Sequence, residues 1–564
     1  MRTSLIHWSG MRFLPLLILP LLAVAQEKTA SDTVLETMKS EMGRSFGALN
    51  KQPVPPYFLS YQLTDNRAIS VQSSFGALAQ SNDQRTRLLD IDLRVGDYKL
   101  DSTHGGRPGT AAVGAIPIED DPAALATSLW LETDRQFKEA LQLYEAVKTN
   151  QDIKLAREDK SPDFSPGLAE KHMEPLAPFS FDRSVWEEKV RKYGRAFRGH
   201  PDILSADVTA IGEIETRRYV STDGAQIRMS MPFYRLLISA SIRAADGEVM
   251  GLNRTFMSFH PGGLPGDEEV LRTVSQMADT LLALQKAPVG EPYTGPAILS
   301  GRSAAVFFHE IFGHRVEGAR LKDENDAQTF KKKINQPVLP DFLSVYSDPT
   351  LQAFHGTDLV GYYPYDDEGV EAHRVTVVDK GVFKTFLMSR SPVDGFDKSN
   401  GHGRRQQGFA VAARQSNLLV EASKTVSRAE LKKMLIDAVK AANKPYGLFF
   451  DDIEGGFTFT SRQLPNSFSV MPTVIYRVYP DGREELVRGL NLIGTPLIAF
   501  SKIVAADDDP EVFNGLCGAE SGWVPVAAVA PGMLLTQIEV QRKEKSQERP
   551  PILPAPEADA RSAR

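Results

Sequence analysis

His309, Glu310 and His314 bring together side chains that could hold a metal ion and move a proton. Two neutral imidazoles and a carboxylate are the groups with which zinc peptidases bind their metal and activate water. The alternative interpretation is a buried amphipathic helix with two incidental histidines. The chain has only ten histidines among 564 residues, so this arrangement is rare by chance and we favour a metal site.

The two histidines are five positions apart, whereas the common H-E-x-x-H motif separates them by four. On an undistorted α-helix this spacing places them roughly 140° apart, too far round the helix to bind one small ion. A single π-type turn would bring them nearly into line. Alternatively, the helix could end at Gly313, which has no Cβ and tolerates either distortion. We therefore predict a π-type turn or a helix end between His309 and His314.

Composition and charge restrict the classes of protein that this chain can be. A length of 564 residues is enough for two or more domains, and 42% hydrophobic with 24% charged residues is typical of a globular protein. The net charge of −7 and the lack of a Lys/Arg cluster argue against a nucleic-acid partner, because phosphate binding needs clustered cations.

The N-terminus has the pattern of a signal peptide over residues 1–25. Arg2 and Arg12 precede an apolar run from Phe13 to Leu22, and Ala23-Val24-Ala25 fits the small-residue cleavage rule. The run is too short to span a bilayer, so we expect no stable membrane anchor. We predict cleavage after Ala25 and export to the periplasm or the medium; an uncleaved anchor is the alternative.

Cys517 is the sole cysteine, so it cannot form an intrachain disulfide. A lone cysteine in an exported protein is protected from oxidation either by inert burial or by binding a metal as thiolate. Both interpretations stay open on the residue alone.

The chain order predicts an α+β fold with two domains. A Pro- and Gly-rich stretch at 288–296 separates an N-terminal α+β domain, 26–290, from a β-rich C-terminal domain, 291–540, that carries the metal helix; a disordered tail follows at 541–564.

Leu89, Ile91, Leu93 and Val95 alternate with polar residues as on a half-buried strand. The polar segment 150–178 is predicted to be an insertion or linker. Helices are predicted near 29–49, 121–148, 267–286 and 427–443, and one more begins with a capping box of Ser184 and Glu187.

Several segments of the second half, taken together, resemble the TldD/PmbA family of metallopeptidases. The resemblance covers roughly 295–540 well and 30–290 loosely, and it is specific only when the segments are combined. The segments are His309-Glu310-Ile311-Phe312-Gly313-His314 with Glu317-Gly318, Tyr365-Asp366-Asp367-Glu368-Gly369-Val370, Ser399-Asn400-Gly401-His402-Gly403-Arg404-Arg405, and Leu516-Cys517-Gly518 followed by Pro531-Gly532-Met533-Leu534-Leu535.

This resemblance implies a zinc site of His309, His314 and Cys517, with Glu310 as general base on zinc-bound water. Three nitrogen and sulfur ligands leave a fourth position for water, as a catalytic zinc site requires. The implied activity is hydrolysis of unfolded or flexible peptides. Two alternatives are a non-catalytic peptide-binding or assembly subunit with a structural zinc, and a hydrolase of non-peptide amides.

The resemblance also implies a dimer that encloses the site, either a homodimer or a heterodimer with a metal-free PmbA-like subunit. Peptide would bind as an added strand. Arg404, Arg405 and His402 are candidate substrate-binding residues, although a structural ion pair or a solvated loop is the favoured interpretation of the arginines. His355, His373 and His402 are rival third ligands, each more typical of an ordinary surface or core histidine.

The chain departs from the family pattern in its signal segment, its expanded region at 101–180 and its added tail. Trp523 stands near the cysteine segment where a polar residue is expected, which leaves the local geometry there open.

Overall fold

The computed structural model describes residues 32–105, 113–151, 159–322, 326, 328–458 and 468–544. The predicted signal peptide lies outside these residues, as does the tail beyond Glu544. The predicted α+β fold is confirmed, and strands dominate its C-terminal half. The predicted division into domains at residue 290 stays a prediction.

Helix boundaries largely follow the capping signals in the sequence. Ser427 caps its helix by accepting the N–H of Glu430 at 3.2 Å, as predicted. The capping box at Ser184 is wrong, because Asp182 accepts the N–H of Ser184 and is the N-cap. The helices of the described chain are α1 (Thr33–Leu49), α2 (Pro122–Gln151), α3 (Arg183–Arg195), α4 (Asp267–Lys286), α5 (Gly301–Ile311), α6 (Ala319–Lys322), α7 (Arg428–Ala441) and α8 (Pro496–Ser501).

The N-terminal half contains one large sheet built on four long antiparallel strands. Its order among the described residues is β3-β2-β1-β5-β6-β4, with β7 on β6. Apolar side chains of α1 and α2 pack with β1 and β2, and those of α3 and α4 pack with β5 and β6. The strands are β1 (Pro56–Ser74), β2 (Ala77–Val95), β3 (Val113–Ala115), β4 (Lys171–Met173), β5 (Ile203–Ser221), β6 (Gln226–Arg243) and β7 (Val249–Ser258).

Two further sheets and two short strand pairs make up the described C-terminal half. One sheet has the order β17-β8-β24-β20-β18-β19 with β21 on β24, the other the order β13-β12-β9-β16-β23-β22, and β10 pairs with β11 as β14 does with β15. The strands are β8 (Tyr293–Leu299), β9 (Leu343–Ser347), β10 (Ala353–Phe354), β11 (Thr357–Asp358), β12 (Val375–Asp379), β13 (Val382–Phe383), β14 (Gly403–Arg404), β15 (Ala412–Ala413), β16 (Asn417–Ala422), β17 (Gly447–Thr458), β18 (Phe468–Val478), β19 (Glu484–Val487), β20 (Leu490–Gly494), β21 (Ile503–Ala506), β22 (Glu511–Ala519), β23 (Gly522–Ala530) and β24 (Met533–Arg542).

Helix α5 lies in the largest hydrophobic core, in contact with β17 of one sheet and β23 of the other. Its residues from Ala304 to Phe308 are fully buried. Apolar residues in the middle of the helix are buried against both layers, while His309 and Glu310 lie in its last turn. The helix that carries His309 is therefore a rigid core element.

Two predictions about irregular segments need correction. Phe164 lies within the supposed linker 150–178, yet it is buried, and the Arg390 guanidinium lies 4.1 Å from the centre of its ring. Phe164 is thus packed against the body of the fold, so the linker alternative is wrong there, and the insertion alternative stays a prediction. The tail prediction begins too early, because Gln541 and Arg542 belong to β24 and pair with β20.

No helix among the described residues combines the length and the hydropathy that a membrane crossing requires.

Candidate metal centre

Helix α5 presents His309 from its last turn. Ser300 caps its start by accepting the N–H of Ser303 at 3.1 Å, and the helix ends at Ile311. The apolar neighbours Phe307 and Phe308 anchor it through ring contacts in the core. Because the helix is held on both sides, the position of His309 is fixed by the core and does not depend on a surface loop.

The five-residue spacing is accommodated by a helix end, the second of the two predicted solutions. After Ile311 the chain continues as a 3-10 turn over Gly313–Arg315, in which the N–H of Arg315 donates to Phe312 at 2.9 Å. The tighter turn carries His314 back towards His309, and the centres of the two rings lie 5.2 Å apart.

Gly313 is required at this turn because of a neighbour and not because of its backbone angles. A Cβ at this position would overlap the side-chain amide of Gln415. That amide donates to the carbonyl of His309 at 3.2 Å. The missing side chain of Gly313 therefore leaves the space in which Gln415 holds the end of the metal helix.

Cys517 joins the two histidines from the hairpin of β22 and β23. Its Sγ lies 3.3 Å from Nε2 of His314, although the two residues are 203 positions apart in the chain. One ligand atom from each of His309, His314 and Cys517 lies within 4.8 Å of the others. All three side chains are buried, so the site is shielded from bulk water.

The donor atoms at this site fit a metal ion. Nδ1 of His309 is buried without a hydrogen-bond partner, which costs free energy. Binding of a metal ion by this histidine would offset part of that cost. Burial acts to raise the pKa of the Cys517 thiol, but the adjacent His314 and His309 outweigh it and hold that pKa well below its usual range. A buried thiolate between two imidazoles favours a cation, and imidazole with thiolate is the ligand set that suits zinc.

The charged groups around His314 favour its protonated form. Burial acts to lower its pKa, but the thiolate of Cys517 and the carboxylate of Glu317 raise that pKa to about 10. The imidazolium thus supplies the positive charge that a bound cation would replace, since ligand histidines must lose their proton to bind metal.

Glu310 lies next to the three ligands. Its Oε2 is 4.0 Å from Nε2 of His314, and its side chain is only 12% exposed. Burial raises the pKa of this carboxyl, opposed by His309 and His314, and the backbone N–H of Gly456 donates to it. A carboxylate so placed can accept a proton from water at the site.

Glu317 supports His314 from behind, a role that the sequence analysis did not assign. Its fully buried Oε2 lies 3.2 Å from Nδ1 of His314 and accepts Nη2 of Arg320 at 2.9 Å. Burial acts to raise its pKa, but His314 and Arg320 hold that pKa well below the usual range. The spacing of three residues between His314 and Glu317 is the signal that could have indicated this support.

Two segments singled out in the sequence bind each other: the acidic segment, residues 365–370, and the Gly-Arg-Arg segment, residues 399–405. Asp366 accepts the N–H of Gly403 at 2.9 Å, and Asp367 accepts the N–H of Arg405 at 2.9 Å. Two charged segments nearly forty positions apart are thereby fastened together. The consequence is that β14, which contains Gly403, has a fixed position.

The predicted substrate-binding residues do not join the metal cluster. Arg404 is buried and donates to the carbonyls of Gln415 and Pro525 at 2.7 Å each. Arg405 lies 3.6 Å from Asp90, and a substrate role for either arginine stays a prediction.

His402 has both ring nitrogens engaged. Nδ1 lies 2.9 Å from the carbonyl of Asn400 and Nε2 lies 2.9 Å from the hydroxyl of Ser347. Burial lowers its pKa to about 3. Its substrate role also stays a prediction. Among the described residues, His355, His373 and His402 form no metal-binding group, whereas His309, His314 and Cys517 do.

Trp523 packs across the hairpin that carries Cys517. It pairs with Gly518, and a Cβ on that glycine would stand 3.0 Å from the Trp523 ring. The indole is 62% exposed, so it covers the outer face of the hairpin while Cys517 lies on the inner face. The local geometry that the sequence left open is thus an ordinary antiparallel pair.

Comparison with known proteins connects this site to a family. A profile of the PmbA/TldA metallopeptidase C-terminal domain matches residues 292–542. A metalloprotease of Methanocaldococcus jannaschii is 29% identical over 230 residues, which are 41% of this chain and 47% of that protein. A zinc metalloprotease TldD homolog of Saccharolobus solfataricus is 20% identical over 348 residues, 60% of this chain and 72% of that protein. The chain is thus similar to TldD/PmbA proteins, most clearly over residues 292–542.

The likeness of fold to solved structures extends beyond the segment that the profile matches. TldE from Thermococcus kodakarensis aligns with 90% of this chain and 100% of its own at a TM-score of 0.63, with 14% sequence identity. At that identity the likeness establishes the fold alone. The sequence alignments span about half the length of the first curated relatives, 47% and 58%.

Proposed function

We propose that this member of the TldD/PmbA family is a zinc-dependent peptidase that hydrolyses unfolded or flexible peptides. The proposal rests on one observation, the convergence of His309, His314 and Cys517 within 4.8 Å, beside the carboxylate of Glu310. The names of two relatives, a metalloprotease and a zinc metalloprotease TldD homolog, support it.

His309, His314 and Cys517 would hold the zinc ion. When bound, zinc supplies a charge that polarises a carbonyl group and lowers the pKa of water towards about 7. A set of three protein ligands is typical of catalytic zinc, whereas structural sites normally use four. The count of ligands therefore favours the enzyme over a subunit with a structural zinc.

Glu310 is the general base in this proposal. It accepts a proton from the water that attacks the peptide carbonyl and returns it to the departing amine. The surroundings suit this task, because burial raises the pKa of Glu310 and makes it a stronger base than an exposed glutamate. The N–H of Gly456 restrains the carboxylate without neutralising it.

Substrate, partner and location complete the proposal. A peptide would bind as an added strand, which uses main-chain hydrogen bonds and imposes weak sequence preference. The chain would act as a homodimer or with a metal-free PmbA-like subunit, after export and cleavage behind Ala25. The substrate mode and the dimer are expected from the resemblance to the family, and export is expected from the N-terminal sequence.

A peptide library analysed by mass spectrometry tests the activity. The zinc-loaded protein should cleave flexible peptides, and Glu310→Gln should retain about one zinc ion per chain but lose cleavage. Elemental analysis of both proteins provides the metal control. Normal cleavage by Glu310→Gln would show that the assigned base is wrong. Peptide binding without cleavage by the zinc-loaded native chain would favour the non-catalytic subunit.

A further inference from the structure

Arg414 is a fully buried arginine that lies directly behind the candidate metal ligands. Its Nη2 donates to the Sγ of Cys517 at 3.1 Å and to the carbonyl of the same residue at 2.8 Å. Its Nη1 donates to the hydroxyl of Ser521 at 2.9 Å and to the carbonyl of Gly522 at 3.1 Å. One guanidinium therefore holds both the thiolate and the tip of the hairpin that carries it.

The same side chain reaches the support of the second ligand. Nε of Arg414 forms an ion pair with Oε1 of Glu317 at 3.3 Å, while the other oxygen of Glu317 lies 3.2 Å from Nδ1 of His314. A continuous path of polar contacts thus runs from the sulfur of Cys517 through Arg414 and Glu317 to His314. Its ends are two of the three candidate ligands.

Burying this charge is costly, which argues that its position matters. A guanidinium without exposure loses its hydration and is tolerated only beside compensating charges and acceptors. The fully buried carboxylate of Glu317 and the thiolate of Cys517 are the charges that compensate Arg414. The planar guanidinium can donate to the sulfur of Cys517 through Nη2 while its Nε lies beside the carboxylate of Glu317. A lysine ammonium cannot reproduce this geometry.

The chain positions Arg414 through the two segments that bind each other. Arg414 follows β15, which pairs with β14, and its N–H donates to the carbonyl of His402 at 2.9 Å. Gly403 in β14 is in turn held by Asp366 at 2.9 Å. The acidic segment and the Gly-Arg-Arg segment therefore act as the scaffold on which Arg414 is mounted.

We propose that Arg414 is the positioning residue of the metal centre, holding the Cys517 thiolate and the Glu317 carboxylate where the metal ion needs Cys517 and His314. This inference rests on the proposed metal-dependent function, because it assigns to Arg414 the task of arranging that same site. It acts through other residues and does not touch the substrate.

Metal affinity measured on the full chain tests the proposal. Zinc affinity is determined by competition with a chromogenic chelator for the native chain, Arg414→Gln and Arg414→Lys. We expect Arg414→Gln to bind zinc about 10- to 100-fold more weakly, the usual effect of removing a partner of a metal ligand. Arg414→Lys should recover part of this loss, because it keeps the charge but not the fork.

Arg390→Gln is the matched control. Arg390 is also buried, and its side chain donates to Asp223 at 2.7 Å and to the carbonyl of Ser165, neither of which is a candidate ligand. Its substitution removes a buried guanidinium without altering a contact of Cys517 or Glu317. It should lower resistance to urea while leaving zinc affinity unchanged, which separates a loss of positioning from a loss of stability.

Cobalt substitution gives a readout that stability alone does not move. The cobalt-loaded native chain should show thiolate-to-metal charge-transfer absorption, and this band should shift or weaken in Arg414→Gln but not in Arg390→Gln. Native zinc affinity and an unchanged cobalt spectrum in Arg414→Gln would overturn the proposal. If that variant does not fold, Arg414→Lys decides: unchanged affinity and spectrum in it would overturn the proposal equally.

Failure of the proposed function has a different signature. A chain that binds zinc through these ligands but cleaves no peptide would refute the peptidase assignment, while weaker metal binding by Arg414→Gln would still uphold the role of Arg414.

Discussion

Cys517 Sγ and His314 Nε2 lie 3.3 Å apart, brought together by a strand hairpin and a 3-10 turn that are 203 positions apart in the chain. Each of the two side chains favours the charged form of the other, a thiolate beside an imidazolium, because opposite charges at this distance attract. A metal cation could replace the proton of the His314 imidazolium as the positive charge beside the thiolate. The pairing is thus the contact that most directly supports the proposed metal site.

Replacing Glu317 by glutamine should weaken zinc binding about 10- to 100-fold, since His314 loses its negatively charged partner. The change also removes one of the negative charges that compensate the buried Arg320 and Arg414, so the free energy of unfolding should fall, by at most about 3–5 kcal/mol. Chelator competition and urea unfolding measure the two effects. Glu430→Gln, at an exposed position of α7, is the control. Native zinc affinity in Glu317→Gln would contradict the role of Glu317.

Gly313→Ala should destabilise the protein by about 1–3 kcal/mol, the usual cost of adding a methyl group to a filled core. The new Cβ must displace Gln415, which then loses its bond to the carbonyl of His309, so zinc affinity should fall as well. Gly47→Ala in α1 is the matched control, because a Cβ there meets nothing within 4 Å. Equal urea midpoints for the two alanine variants would show that Gly313 is not needed for space.

His402→Gln should make the protein less sensitive to acid. Burial lowers the pKa of His402 to about 3, whereas the unfolded chain has a histidine pKa of about 6.5. The unfolded state therefore binds a proton first, and the stability that neutral His402 contributes is complete above about pH 6.5 and declines as the pH falls towards 3. Urea midpoints at about pH 7 and pH 5 should differ more in the native chain than in the variant. If His402→Gln raised the KM for peptide and changed the urea midpoint equally at both pH values, a role of His402 in substrate binding would be favoured instead.

The exported chain should begin at Gln26, because the small residues before it fit the cleavage rule. Expression with the native N-terminus in a Gram-negative host, followed by osmotic release and intact-mass analysis, measures this directly. A cytoplasmic product that keeps residues 1–25 would refute the export prediction.

The candidate metal ligands were proposed from two sources. His309, Glu310 and His314 form a short pattern whose residue types suit a metal site, whereas Cys517 was included only because of the resemblance to the TldD/PmbA family. The five-residue spacing of the histidines also limited the local backbone to two possibilities, a π-type turn or a helix end. It could not choose between them, because the helix end depends on Gln415, more than a hundred positions away, filling the space beside Gly313.

Glu317 could have been indicated by its spacing from His314, but the role of Arg414 could not be predicted, since it exists only in the folded chain. Arg414 belongs to no pattern around the ligands and reaches Cys517 through the pairing of β14 with β15. Similarly, Ser184 carries a sound capping signal, but Asp182 stands two positions earlier and accepts the N–H of both Ser184 and Val185.

A crystal of the zinc-loaded protein, measured with anomalous scattering on both sides of the zinc absorption edge, tests the metal centre most directly. The account predicts one anomalous peak bonded to the side chains of His309, His314 and Cys517, at about 2.0–2.3 Å from nitrogen and sulfur. A zinc peak elsewhere, or one bonded to both histidines but not to Cys517, would contradict it.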